Sequence, residues 1–169
     1  MNNWAKYSLN FILIILVEGL VINQLDIHEY FNPMVYPMLI LMLPFELGVL
    51  PTIIISFILG ISVDAFSNTF GLHASSAMLI GYLRPTILNY IKPRDGFDIS
   101  LLPSIQDMGV TWFLGYATLF LSIHHLWFFS LEILKFDVLL ILAKTFCSML
   151  LSLALIILLQ YILYTSSRK

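Results

Sequence analysis

Apolar residues arrive in long runs along this chain, and short polar stretches punctuate them. The first run covers about Tyr7 to Leu25 and stops at the polar turn Asp26-Ile27-His28-Glu29. A second, short one starts near Pro33 and ends near Phe45, with Pro37 and Pro44 bounding its middle. A third runs from about Val49 to Asp64, where Ser67-Asn68-Thr69-Phe70-Gly71 supplies turn chemistry. The fourth covers about Leu72 to Ile91, with Pro85 placed to kink it. After a polar stretch from Lys92 to Asp107, two more follow, about Met108 to Phe129 and Val138 to Tyr164. Runs near ~20 residues are what a ~30 Å hydrocarbon layer requires. The pattern predicts an all-α, polytopic transmembrane helix bundle of about six spans, forming one integral membrane domain over residues 1–169.

The connection from Lys92 to Asp107 is the longest. Leu101, Leu102 and Ile105 alternate there with Asp98 and Ser104, so the section Phe97 to Ile105 reads either as an amphipathic piece along the interface or as a solvated loop. No internal repeat and no low-complexity tract divides the chain.

Composition agrees with the runs. The chain is 60% hydrophobic and 11% charged, with a mean hydropathy of +0.94; a soluble domain carries about 25% charged residues. Net charge is −2, from 8 basic and 10 acidic residues, so no basic face suggests nucleic acid. A single cysteine, Cys147, excludes an intramolecular disulfide and cannot alone make a zinc site; it reads as a small buried hydrophobe. Lys6 before Leu9 to Val17 imitates a secretory signal, but Glu18 interrupts the stretch and no small-residue cleavage pattern follows. The expectation is a retained first helix.

Basic residues set the orientation. With the N-terminus inside, cytoplasmic segments hold Lys6, Lys92, Arg94, Arg168 and Lys169, against Lys135 outside. Both termini are then cytoplasmic, which requires an even number of spans. Trp4, Tyr7, Trp127, Tyr161 and Tyr164 fall near span ends, as an aromatic belt requires.

Glu18, Asp64, Arg84 and Lys144 lie within or at the edge of the spans, where charges usually face the bundle interior and pair. At 1.5 Å per residue, Glu18 and Lys144 both fall roughly a third of the way in from the outer surface. A structural ion pair between the first and sixth spans is expected; a proton or ion relay and snorkelling of Lys144 are the alternatives. Arg84 either reaches Glu46 in the tight hairpin before the third span or snorkels to the cytoplasmic headgroups. No Gly-x-Ser-x-Gly elbow, His-Glu-x-x-His zinc pattern or phosphate-binding Gly-x-x-x-x-Gly-Lys loop occurs. His124 and His125 are adjacent, so on a helix they point about 100° apart and share no ligand face. Asp26, His28 and Glu29 read as a solvated turn. No cofactor or metal is expected. Ser56 and Gly60, Ala77 and Gly81, and Thr111 and Gly115 are each four apart, a spacing that lets helix backbones approach closely.

The section Pro44 to Leu83 carries a family resemblance. A proline-bounded hairpin, Pro44-Phe45-Glu46-Leu47-Gly48, leads into Phe57-Ile58-Leu59-Gly60-Ile61-Ser62-Val63-Asp64, and Phe70-Gly71-Leu72-His73-Ala74 opens the next apolar helix. The order resembles the rod shape-determining MreD family, in which a glycine-containing helix ends in aspartate before a Gly-Leu-His-Ala-like turn. It covers about a quarter of the chain; the remainder agrees in hydropathy, and Arg84-Pro85 is outside the pattern. The resemblance implies a non-enzymatic scaffold of the bacterial cell-elongation, peptidoglycan-synthesising machinery in the inner membrane. Its implied partners are an MreC-like periplasmic coiled-coil protein, the RodA-type glycosyltransferase with its class B penicillin-binding transpeptidase, and MreB-type actin. It also implies a fold similar to the substrate-binding subunits of energy-coupling-factor vitamin transporters. Such a transport subunit is the alternative function, although the short outer loops are poor in pocket-forming groups.

Within that section, Asp64 and the turn after it invite a local lock. The first turn of the next helix, near Leu72 to Ser75, exposes unpaired amides at the positive end of the helix dipole. A carboxylate folded back from Asp64 would accept them and meet the His73 ring, while Gly71 allows the backbone angle that the turn needs. The other reading of Asp64 is a contact for a periplasmic partner segment.

Overall fold

The computed structural model describes residues 3–24, 29–135 and 137–165. Asp26, His28, Arg168 and Lys169 lie outside the described residues, as do the side chains of Trp4, Lys6, Tyr7 and Tyr164. The described chain is helical: α1 (Asn3–Leu20), α2 (Pro37–Leu41), α3 (Val49–Ser67), α4 (Leu72–Tyr90), α5 (Ile105–Met108), α6 (Val110–Glu132) and α7 (Val138–Thr165), with a 3-10 turn at Ile22–Gln24. In space the long helices neighbour one another in the order α1, α3, α4, α6, α7.

Three of these helices are long and apolar enough to cross a membrane: Val49–Ser67, Val110–Glu132 and the section Val138–Ile162 of α7. α4 matches α3 in length at 19 residues, but carries His73, Ser75, Ser76, Arg84 and Asn89. Its polarity fits its place between α3 and α6, where His73, Ser76 and Arg84 are buried by protein. Pro85 lies inside α4. On α6 the residues Phe113, Tyr116, Phe120, His124 and Phe128 recur at helical spacing and are all buried, forming its inward stripe.

Small residues set the α3–α4 distance. A Cβ added at Gly60 would lie 2.5 Å from Ala74 Cα and 2.7 Å from the His73 carbonyl oxygen. One added at Gly81 would lie 2.5 Å from Ser56 Oγ. Ser56, Gly60, Ala77 and Gly81 therefore form one close seam, as their spacing predicts. Thr111 and Gly115 do not: a Cβ at Gly115 meets nothing within 4 Å, so that pair faces open space.

The stretch 33–45, expected as a helical span, differs most from the sequence reading. Its helix is α2 alone, five residues or about 7.5 Å long. Residues 32–35 carry no secondary structure, yet Met34, Val35 and Tyr36 are buried. Proline is the physical reason. Pro37 suits the first turn of α2 but disfavours a helix arriving before it, and Pro44 does the same to Leu43.

The expected fifth span, about Met108 to Phe129, corresponds to α6, and Gly109 (φ 82°) separates the single turn α5 from it. The connection before it folds back onto the bundle. Phe97 stacks on Phe45 with centroids 4.3 Å apart, the Trp112 ring stands edge-on to both, and Ile105 N donates to Gln160 Oε1 at 2.9 Å. Lys92, Arg94 and Asp95 at its start and residues 98–100 in its middle are exposed, and there the Ser100 hydroxyl and amide donate to Asp98 Oδ1 and hold that carboxyl below its usual range.

Candidate functional site

A segment buried without helical hydrogen bonds must have its backbone amides met by something else. For residues 32–36 the donors are all accounted for. Asn32 N donates to Ser148 Oγ (2.9 Å) and Met34 N to Ser152 Oγ (2.8 Å); Pro33 has no N–H. Val35 N and Tyr36 N both donate to Glu18 Oε2, at 2.8 and 3.0 Å. The segment thus hangs from three side chains, one on α1 and two on α7. Glu18, Ser148 and Ser152 are each 0% exposed.

This overturns the expected pairing of Glu18 with Lys144. Lys144 Nζ instead lies 3.1 Å from Glu132 Oε2 in a half-exposed ion pair, over the Phe129 ring. Counting depth along helices matched two charges and ignored amides, which compete for a carboxylate wherever the backbone is not helical.

From this segment Tyr36 projects into a group of three histidines. Its hydroxyl lies 2.5 Å from His124 Nε2 and donates to the His73 carbonyl at 3.4 Å. One chain satisfies both contacts: His124 Nε2–H to Tyr36 Oη, and Tyr36 O–H to the carbonyl. The His73 ring stands edge-on to Tyr36 and tilts against Phe128, and its Nδ1 has no partner. His125 points elsewhere, as adjacent helical residues must. Its Nδ1 meets the Leu121 carbonyl (2.8 Å), so Nε2 accepts from Ser152 Oγ (3.1 Å). A serine and a histidine in bonding geometry suggest a nucleophile and base, but both are fully buried and the serine oxygen already holds the Met34 amide. Among the described residues no group of three His, Cys, Asp or Glu side chains is arranged to hold a metal ion.

Asp64 closes the other side of the cluster. Its Oδ1 accepts from His73 N (3.1 Å) and the Thr69 hydroxyl (2.6 Å), and its Oδ2 from Ala74 N (2.9 Å). The carboxylate therefore caps the first turn of α4. It meets the amide of His73, while that ring turns away toward Tyr36 and Phe128. Gly71 (φ 85°) and Asn68 (φ 52°) take the left-handed conformation in the turn. Gly60 lies directly beneath, where a side chain would strike the same α4 turn.

Arg84 sits apart, at the opposite end of α4. It is 1% exposed and neither reaches Glu46, which is exposed, nor snorkels. Its guanidinium donates to the Pro44 carbonyl at 3.3 Å and to the Leu43 carbonyl, closing the turn between α2 and α3. Cys147, expected as a buried hydrophobe, is half-buried and free.

Sequence reasoning passed over Tyr36, His124, His125, Ser148 and Ser152 as parts of one site. A signal was present in α7. Ser148, Ser152, Ile156 and Gln160 recur every four residues, and all four are 0% exposed. Polar residues on one stripe of an otherwise apolar helix mark a face turned toward polar backbone. No family model, curated protein or solved structure matches the chain.

Proposed function

We propose that this chain is a non-enzymatic scaffold of the bacterial cell-elongation machinery, of the MreD kind, in the cytoplasmic membrane. The observation that carries the reading is the α3–α4 hairpin. Gly60, Asp64, Gly71 and His73, on which the resemblance rests, belong to one structural unit: Gly60 admits the α4 turn whose amides Asp64 caps. In this reading the chain crosses six times, through α1, the segment 33–45, α3, α4, α6 and α7, and both termini are cytoplasmic. A non-helical second crossing is compatible with a bilayer because protein surrounds it. The fold would then be kin to the substrate-binding subunits of energy-coupling-factor transporters.

The work of such a protein is helix-on-helix contact. α3 presents Leu50, Ile54 and Ile58 outward, and α7 presents Leu142, Phe146 and Leu150. These faces would receive partner transmembrane helices, those of the MreC-like protein first, with the RodA-type glycosyltransferase, its transpeptidase and MreB-type actin assembled around them. The serine–histidine pair is fully buried, which favours binding over chemistry. Depletion in a rod-shaped host tests the reading: cells should round up with vitamin uptake intact. Normal shape with a vitamin requirement would replace it with the transport-subunit alternative.

A further inference from the structure

Three side chains suspend residues 32–36, and one of them can change its charge. Ser148 and Ser152 hold their amides as neutral hydroxyls. Glu18 holds two amides on Oε2, while its buried Oε1 has no hydrogen-bond partner. Neither protonation state is fully served. An ionised Glu18 gains two charge-assisted bonds but has no cation beside it among the described residues, since Lys144 is spent on Glu132. A neutral one relieves the buried charge, but its acid proton finds no acceptor and Oε2 weakens as an acceptor for two amides.

We propose that Glu18 is a proton-operated latch: ionised, it holds the segment 32–36 against α1; protonated, it releases that segment from the bundle. The inference stands apart from the scaffold reading, since it requires only that the segment be held as described.

Among the described residues, the other titratable groups near the segment are Tyr36 within it, Tyr30 before it, Asp64 from α3, His73 from α4, and His124 and His125 from α6; α7 holds it through Ser148 and Ser152, with Cys147 beside Ser148 and Lys144 one turn away, paired to Glu132. Asp64 has both oxygens bonded, His125 both nitrogens, and Tyr36 its hydroxyl. His73 and His124 each keep an unpartnered Nδ1, but neither ring bonds a backbone amide of the segment. Among the described residues, Glu18 alone combines an unpartnered polar atom with a direct hold on the segment's backbone. Release would also withdraw the Tyr36 ring from between His73 and His124, carrying a local proton event into the core of α4 and α6.

The test uses spin labels at Asn32→Cys and Ile58→Cys, with Cys147→Ser, in the full chain reconstituted in lipid nanodiscs. At about pH 9 the pair should give one narrow distance. Toward about pH 5 a second, displaced population should grow at least about tenfold, the expected effect of turning charge-assisted bonds into neutral ones. Glu18→Gln should show the displaced population at both pH values. One distance at both pH values in the parent would overturn the proposal. So would pH dependence that survives in Glu18→Gln, because it would place the titration on the histidines. If Glu18→Gln does not fold, Ser152→Ala serves instead. Weakening the held state should raise the displaced fraction and move its midpoint to higher pH, and an unchanged fraction and midpoint would overturn the latch.

Discussion

Replacing Gly60 by alanine places one methyl group against backbone, where little can yield. The new Cβ would lie 2.5 Å from Ala74 Cα, 2.7 Å from the His73 oxygen and 2.8 Å from Ala74 N. These are helix backbone atoms, so α3 and α4 must separate, and overpacking of this kind costs about 1–3 kcal/mol. Alanine recovers up to about 1 kcal/mol in helix propensity. The separation also moves His73 N and Ala74 N away from Asp64, and each such bond to a charged acceptor is worth about 1.5–3 kcal/mol. With one bond lost, the net destabilisation is about 1.5–5 kcal/mol. Gly115→Ala is the matched control, because its Cβ meets nothing within 4 Å and it should gain roughly 0.5–1 kcal/mol in propensity. The assay is thermal melting of the two purified variants and the parent in one detergent. At roughly 2–4 °C per kcal/mol, Gly60→Ala should melt about 3–20 °C below the parent, and Gly115→Ala at or slightly above it. Equal melting of Gly60→Ala and the parent, or equal losses in the two variants, would refute the close-approach argument.

Asp64→Ala strands two amides and a hydroxyl, so folded yield in detergent should fall strongly, whereas Asp64→Asn keeps one acceptor oxygen and should lose about half as much stability. Equal losses would show that the capping oxygens are not what Asp64 contributes. Glu18→Gln and Lys144→Met should be additive within roughly 0.5 kcal/mol, since the two residues bond different partners; a smaller loss in the double variant would restore the pairing rejected above. If the proposed six-crossing topology is right, cysteines at Asn68 and Ser130 should react with an impermeant thiol reagent in intact spheroplasts, and one at Asp95 should not; the reverse pattern would invert that proposed orientation.

The parts of the fold that sequence foretold are those made by residues close together in the chain. Gly60, Asp64, Asn68 and Gly71 act within a dozen positions, so helix geometry and capping chemistry suffice to place the carboxylate over the α4 turn. The small-residue seam followed from spacing alone at Ser56, Gly60, Ala77 and Gly81, but the same spacing at Thr111 and Gly115 had no partner helix. Spacing identifies a possible close approach; topology decides whether a neighbour fills it. Glu18 was misassigned for a related reason. Hydropathy reads 33–45 as one more apolar run and cannot show that prolines leave its amides without helical partners, so it does not reveal backbone as the carboxylate's partner. Arg84 repeats the error, meeting the Leu43 and Pro44 carbonyls rather than the nearby glutamate. Polar residues in this bundle serve broken backbone more than they serve one another.

What accompanies the protein out of native membranes distinguishes a scaffold from a transport subunit. With a C-terminal affinity tag and a mild detergent, a scaffold should bring with it a single-span protein with a periplasmic coiled coil, at similar amounts with or without nucleotide. Recovery of a pair of ATPases in its place would overturn the scaffold reading and make the chain a transport subunit.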